Sequence, residues 1–271
     1  MSARHKTWEE AVIWLKDQPD QIELVKACFY DDPPIHAAER YYASSEWEAV
    51  RKLVGPARGR VLDVGAGLGI SSYAFARDGW RVTSLEPDAS AVVGAGAIRQ
   101  LAADSHLPIE VVMEWGEALP FPDATFDVVY GRQVLHHARN LTDLCAEMAR
   151  VLKPGGTFFA TREHVIFKDA DLAVFLEEHP LHRIYGGENA YRLGEYKRAI
   201  EGAGIRLTRV LNPWASAVNL YPRSASEIRD LIHARLPFVP ASVIRLSLLP
   251  RLGWLLRSPG TAYSFLGIRA A

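Results

Sequence analysis

Cysteine is scarce in this chain of 271 residues, with Cys28 and Cys145 as its whole complement. Their separation matches no disulfide framework, zinc spacing or redox pair, so both thiols read as small apolar side chains of a reducing compartment. Excess charge is missing as well. Lys+Arg total 31 against 32 for Asp+Glu, a formal net charge of −1, and without a global field nucleic acid is not an expected partner. No segment offers the roughly 18–20 apolar residues of a membrane span, and "MSARHKTWEEAVIWLKDQPD" is charged where a signal peptide needs an apolar stretch. The expectation is a soluble, cytoplasmic protein with no integral membrane segment. Internal repeats and low-complexity tracts are absent too, which leaves periodicity and turn residues as the signals to read.

What is present divides into three zones. Residues 1–55 read as a helical cap. Thr7 and Glu10 make a capping box ahead of Trp8, Ala11, Val12 and Leu15 on one face, and Pro19 and Asp20 open a second helix with Ile22, Val25 and Phe29 inward. Ser45 with Glu48 caps a later helix that stops at Gly55. The remainder, 56–271, reads as one domain. In it the runs "RVLDVGAG", "RVTSLEP", "IEVVMEW", "FDVVYGR", "GTFFATREH" and "IRLTRVLN" alternate with helical segments such as "LTDLCAEMARVLK". That alternation predicts an α/β fold, a mostly parallel sheet with helices on both faces, whose ligands sit beyond the carboxyl ends of the strands. An excursion over 212–260 then precedes a last strand, "AYSFLGIR". Its helix "SASEIRDLIHARL" sets Ile228, Leu231, Ile232 and Leu236 on one face. No acid follows Asp230, while Arg235, Arg245, Arg251, Arg257 and Arg269 remain. Peripheral contact with an anionic membrane surface stands beside the plainer reading of a covering helix with solvated arginines.

The turn "VLDVGAGLGI" places Gly65, Gly67 and Gly69 where the first strand gives way to a helix, which lets backbone approach a ligand. The dinucleotide fingerprint fails, because it needs glycine where Ile70 stands and an apolar residue where Asp63 stands. A phosphate-gripping loop fails for want of a following Lys-Ser/Thr. From about Val61 to Val210 the chain resembles the class I S-adenosylmethionine-dependent methyltransferases, in particular the type 11 small-molecule enzymes. Asp63, Gly65, Gly67 and Gly69 match the family's D-x-G-x-G-x-G. Glu86 matches the acid that takes both ribose hydroxyls, and "EALPFPDATFDVVYGRQVLHH" and "EMARVLKPGGTFFA" match the segments around strands four and five.

The resemblance implies a Rossmann-like sheet of seven strands, S-adenosyl-L-methionine as cofactor and methyl transfer to a small or medium-sized acceptor. Cofactor contacts are expected from Asp63, Gly65, Ala66, Gly67, Gly69, Glu86, Pro87, Gly131, Arg132, Gln133 and His136. Trp115, flanked by Glu114 and Gly116, occupies the place where the family commonly has an acid beside adenine. Trp115 is expected to stack on or edge the base, with Glu114 or Glu117 as acceptor. Tyr41, in the aromatic "AAERYYASSEW", is expected to close over the cofactor. His136 and His137 are adjacent, and neighbours on a helix point about 100° apart, so they are read as structural or cofactor-adjacent and not as chelators.

Methyl transfer to a hydroxyl needs a base. His164, just after strand five, is the leading candidate, and Arg162 and Glu163 beside it are candidates for binding the acceptor. The segment "EEHPLHRIYGGENAY" follows within a pocket loop spanning 162–192. It adds His179 and His182 as further proton acceptors and Tyr185, Glu188 and Asn189 as acceptor-binding residues. Metal is not expected, since Pro180 splits His179 from His182 and sulfonium chemistry needs no ion. Transfer to nitrogen or carbon, a glycan or lipid-linked acceptor, a non-catalytic cofactor-binding subunit and a nicotinamide oxidoreductase are the alternatives.

Overall fold

A computed structural model describes residues 6–214, 216–235, 237–245 and 259–271. Leu236, Arg251 and Arg257 of the C-terminal basic segment lie outside the described residues. The strands are β1 (Arg60–Val64), β2 (Arg81–Leu85), β3 (Ile109–Val112), β4 (Phe126–Arg132), β5 (Leu152–Ile166), β6 (Tyr191–Arg192), β7 (Ile205–Leu211) and β8 (Thr261–Arg269). They form one sheet in the order β3-β2-β1-β4-β5-β8-β7, with the short β6 paired to β5. β8 runs antiparallel to β5 and β7, while the other pairs are parallel. The expected α/β sheet is therefore present, mixed and not wholly parallel. Its strand order reverses between β1 and β4, where such sheets open a ligand crevice.

Helices cover both faces: α1 (Trp8–Lys16), α2 (Ile22–Ala27), α3 (Pro34–Tyr42), α4 (Ser45–Val54), α5 (Ile70–Arg77), α6 (Ala95–Ser105), α7 (Leu141–Val151), α8 (Ala170–Glu178), α9 (His182–Tyr185), α10 (Leu193–Gly202), α11 (Ala217–Leu220) and α12 (Ala225–Arg235). The Thr7–Glu10 capping box is formed. The cap of α4 is Ser44 and not Ser45, since the Ser44 hydroxyl accepts from Trp47 N at 3.2 Å. Ile22 is exposed because its helix is short and peripheral, and only Phe29 of the expected inward set is fully buried. Leu231 likewise faces solvent, leaving Ile228 as the buried anchor of α12.

The helical cap is joined to the sheet by aromatic packing and by one buried acid. Tyr41, Trp47, Phe75 and Tyr130 are all fully buried, with the Trp47 and Phe75 rings edge to face at 4.8 Å between centroids. Glu46 on α4 meets Arg132, the last residue of β4, with Oε1 2.8 Å from Nε and Oε2 3.2 Å from an Nη. Its carboxylate is wholly removed from solvent and also lies 3.8 Å from the Arg162 guanidinium. Removing one partner of a buried pair leaves a charge without compensation, which costs about 3–5 kcal/mol. Glu46→Ala is expected to lose that much in urea unfolding. The double variant E46A/R132M should recover part of it, and equal stability of E46A and the parent would disprove the role of the pair.

Candidate active site

The loop after β1 is shaped by positive φ angles at Gly65 (62°), Gly67 (56°) and Gly69 (79°). A Cβ on Gly65 would stand 2.4 Å from Val134 Cγ2, so both conformation and space demand glycine there. Asp63 does not reach the cavity. It accepts from the Ser71 and Ser72 hydroxyls at 2.6 Å each, which fixes the first turn of α5 behind the loop. Burial pushes its carboxyl up to about 6 in spite of those bonds.

Glu86 follows β2 and crosses to the glycine loop, where it accepts from Gly67 N at 2.8 Å and Asp88 N at 3.0 Å. Burial outweighs these donors and pushes the carboxyl up to about 7. Trp115 is half-exposed, and the Arg139 guanidinium covers its ring at 3.7 Å. Glu117 Oε1 accepts from Arg139 N at 2.8 Å.

A cavity of about 500 Å³ runs past these groups. Of the expected residues, Gly65, Ala66, Gly67, Glu86, Pro87, Trp115, Gly116, Glu117, Arg132, Gln133, His136, Arg162, His164, His179, Tyr185 and Glu188 stand on its wall. Asp63, Gly69, Gly131, Tyr41, Glu163, His182 and Asn189 do not. Gly131 is covered by Val134, whose Cγ1 would lie 2.5 Å from an added Cβ. Tyr41 is a core residue and no lid, with its hydroxyl 3.3 Å from that of Tyr130. The Arg162 guanidinium is partly engaged, its two Nη atoms donating to the Val218 and Tyr221 carbonyls at 3.1 and 2.9 Å, while its buried Nε has no hydrogen-bond partner among the described residues.

At the far end of the cavity the chain gathers four imidazoles. His136 and His137 lie in a 3-10 turn, Leu135–His137, and not on an α-helix. Neighbours on such a turn are about 120° apart, yet the two rings converge, with centroids 4.2 Å apart, because each is tethered through Nδ1, His136 at Glu163 and His137 at the Gly187 carbonyl. His136 Nδ1 is 2.6 Å from Glu163 Oε2, His137 Nδ1 is 3.1 Å from the Gly187 carbonyl, and His164 Nδ1 is 3.0 Å from the Gly260 carbonyl. Glu188 stands among them, its Oε1 accepting from the Tyr185 hydroxyl at 2.5 Å. Burial works against a charged His136, but Glu163 and Glu188 outweigh it and raise the imidazole to about 9. Burial and the charge of His136 push His137 down to about 4 and hold His164 well below the usual histidine range. His182 opens α9 instead, donating its N–H to His179 Nδ1 at 3.3 Å.

The family model for a methyltransferase domain matches residues 62–160. A ubiquinone biosynthesis O-methyltransferase of Sinorhizobium fredii is 31% identical over 169 residues, 59% of this chain and 67% of the relative. The chain belongs to the class I S-adenosylmethionine-dependent methyltransferases. Solved structures give the same fold at lower identity. The 4+2 cyclase SpnF aligns with a TM-score of 0.59 at 17% identity, covering 99% of this chain and 98% of that one. A Haemonchus contortus phosphoethanolamine N-methyltransferase aligns with a TM-score of 0.58 at 18% identity, covering 91% and 59%. The methyltransferase binds S-adenosylmethionine as its cofactor, and no helix among its described residues is long and apolar enough to cross a membrane.

Sequence reasoning missed several parts of this wall. Trp8, Cys28 and Tyr30 of the cap line the cavity, with Trp8 Nε1 donating to the Tyr30 hydroxyl at 3.2 Å. The periodicity of α1 marks an inward face but does not tell core from cavity. Glu46 carried no signal either, since an acid in a first helical turn is ordinary capping chemistry.

Glu86 yields a pH test. Its carboxyl is raised on folding, so its contribution to stability is full below the unfolded value near 4.5 and lost as pH rises through about 7. Ribose hydroxyls donating to the ionised form would reverse that loss. Affinity for S-adenosylhomocysteine, measured by calorimetry, is expected to rise between pH 6 and 8, and Glu86→Gln should flatten the rise and weaken binding about 10-fold or more. A parallel rise in the Gln variant would assign the effect elsewhere.

Proposed function

We propose that this methyltransferase transfers the methyl group of S-adenosylmethionine to an oxygen nucleophile of a small or medium-sized acceptor, with His164 as proton acceptor. The carrying observation is the tautomer of His164. A carbonyl can only accept, so the contact with Gly260 places the ring proton on Nδ1 and leaves the Nε2 lone pair unprotonated at the cavity. Burial and the charge of His136 keep this ring neutral and so able to accept a proton, with less driving force than an unperturbed imidazole would have. In the step, Nε2 takes the hydroxyl proton, the oxygen pair forms the new O–C bond, and the C–S bond breaks with its electrons going to sulfur.

Leu24, Ala27, Phe29 and Leu181 give the same cavity an apolar side, which suits an acceptor with an aromatic or alkyl body. The Sinorhizobium fredii relative is an O-methyltransferase, which supports oxygen as the acceptor atom. The 162–192 segment shapes this half of the cavity through His164, His179, Tyr185 and Glu188.

A panel of phenols and catechols incubated with 13C-methyl-labelled S-adenosylmethionine tests the acceptor atom, because carbon shifts separate O-, N- and C-methyl products. O-methyl product is expected. His164→Ala should lower kcat by about 10²–10⁴ while S-adenosylhomocysteine affinity stays within about 2-fold. Label appearing only on nitrogen or carbon, or an undiminished kcat in H164A, would reject this reading.

A further inference from the structure

We propose that the acceptor end of the cavity binds a divalent first-row metal ion, held by His136 Nε2, His164 Nε2 and Glu188 Oε2. One ligand atom from each of these residues lies within 4.8 Å of the others. Glu188 is decisive. Its side chain is 6% exposed, Oε1 is engaged by Tyr185, and Oε2 is buried with no hydrogen-bond partner among the described residues. A buried carboxylate oxygen without a hydrogen bond is costly; the charge of Glu188 is balanced at longer range by the His136 imidazolium, whose Nε2 proton a bound ion would displace. What surrounds it is nitrogen at the wrong distance for a hydrogen bond, with His136 Nε2 at 3.6 Å and His137 Nε2 at 3.8 Å. A charge-assisted bond would close to about 2.8 Å. Two ligands bound at roughly 2.1 Å to a tetrahedral ion stand about 3.4 Å apart, close to the 3.6 Å between His136 Nε2 and Glu188 Oε2, and the 4.8 Å span of the three ligand atoms means that the set would draw together around an ion.

The histidines are also prepared from behind. A ligating imidazole needs its other nitrogen held by an acceptor, which sets the tautomer and aims the ring. His136 Nδ1 has the buried carboxylate of Glu163, and His164 Nδ1 has the Gly260 carbonyl. His137, tied through Nδ1 to Gly187, presents a further Nε2 to the same oxygen. The ligands come from the turn after β4, from β5 and from the loop after α9, so a site assembled by the fold and not by a local motif is implied. Two or three imidazoles with one carboxylate suit Zn²⁺, Co²⁺ or Fe²⁺ better than Mg²⁺ or Ca²⁺, which take oxygen ligands.

The presence of the ion rests on this geometry alone, while its role rests on the oxygen-acceptor reading above. An open position facing the cavity would take the acceptor hydroxyl and lower its pKa. The hydroxyl proton then leaves to water, the oxygen pair forms the O–C bond, and sulfur departs with the electrons of the C–S bond. In that state His164 is a ligand and the ion replaces it as the means of ionising the acceptor.

Full-length protein, stripped with chelator, is to be titrated with Zn²⁺, Co²⁺ and Mg²⁺ by calorimetry. One equivalent of Zn²⁺ is expected to bind, with Mg²⁺ at least about 100-fold weaker, and the unmutated Co²⁺ protein should show visible absorption of nitrogen-ligated, four- or five-coordinate cobalt. H164A and E188A should each weaken Zn²⁺ about 100-fold, and Glu163→Gln, which acts by positioning His136, about 10–100-fold. His233→Ala removes a histidine remote from the cavity and should change nothing. Absence of stoichiometric Zn²⁺ binding, colourless Co²⁺ protein, or Zn²⁺ affinity in H164A and E188A unchanged from the parent would overturn the site. S-adenosylhomocysteine titrated into the same samples separates the two readings. Its binding without Zn²⁺ binding ends the metal proposal alone, and its failure to bind the parent protein counts against the cofactor reading instead.

Discussion

The carboxylate of Glu163 governs how the two halves of the cavity meet. It is fully buried on β5, and it receives Val134 N and His136 N at 3.1 Å each and His136 Nδ1 at 2.6 Å. A buried charge survives only with such donors, and those donors belong to the turn that leaves β4. The turn is tight, with Gln133 at a φ of 57°, and it drives Val134 into the space above Gly65 and Gly131. The glycines of the cofactor loop and the aim of His136 thus answer to one acid. The ladder between β5 and β8 shifts register between Ala160 and Glu163, and Arg162 takes a φ of 61°. Bulges redirect side chains in this way, turning Glu163 beneath the turn while His164 reaches the cavity.

A second constraint is electrostatic. S-adenosylmethionine is a sulfonium cation, and Arg132 and Arg162 stand on the wall of the cavity it must share. Left alone, two guanidinium groups would oppose its charge at low dielectric. Glu46 offsets one of the two charges, at 2.8 Å from Arg132 and 3.8 Å from Arg162, and the Val218 and Tyr221 carbonyls accept from the Nη atoms of Arg162. The helical cap therefore contributes a charge as well as a cover. Acids remain at the two ends: burial raises the Glu86 carboxyl by the glycine loop, whereas at Glu188 the surrounding histidines outweigh burial and hold the carboxyl below its usual range.

The strands, the glycine loop and the acid after β2 were legible because their signals are local. Strand patterns, three glycines at fixed spacing and an acid ending β2 lie within about thirty residues of one another, and a period-2 run followed by glycine carries its own geometry. The acceptor half was not, because it forms by convergence. His136, His164 and Glu188 come from three segments, and nothing in any one of them announces the others. The adjacent histidines illustrate the difference. Backbone spacing sets adjacent residues apart on either kind of helix, but the contacts of His136 with Glu163 and of His137 with the Gly187 carbonyl aim both rings toward Glu188. Tyr41 failed the opposite way: its aromatic surroundings were correctly sensed, yet they are the core against Tyr130 and not the lid.

The cover over the acceptor is likewise made of parts that depend on one another more than on the sheet. Lys6 N donates to the Ile184 carbonyl at 3.2 Å, joining the start of the cap to α9. Tyr221, after α11, stacks on Phe29 of the cap at 4.7 Å and donates to the Lys26 carbonyl at 3.1 Å. Three segments remote in sequence thus lock together around the cavity, whereas Glu86 and the glycine loop are held by the ends of β1 and β2. Changes in the cover can alter the shape offered to an acceptor while the cofactor loop stays as it is. The histidine cluster lies at the junction, with two members on turns of the sheet and its carboxylate on the cover. Glu188 is thus placed against the imidazoles by the segment that carries it, and the reactive end of the cavity is shaped jointly by the sheet and its cover.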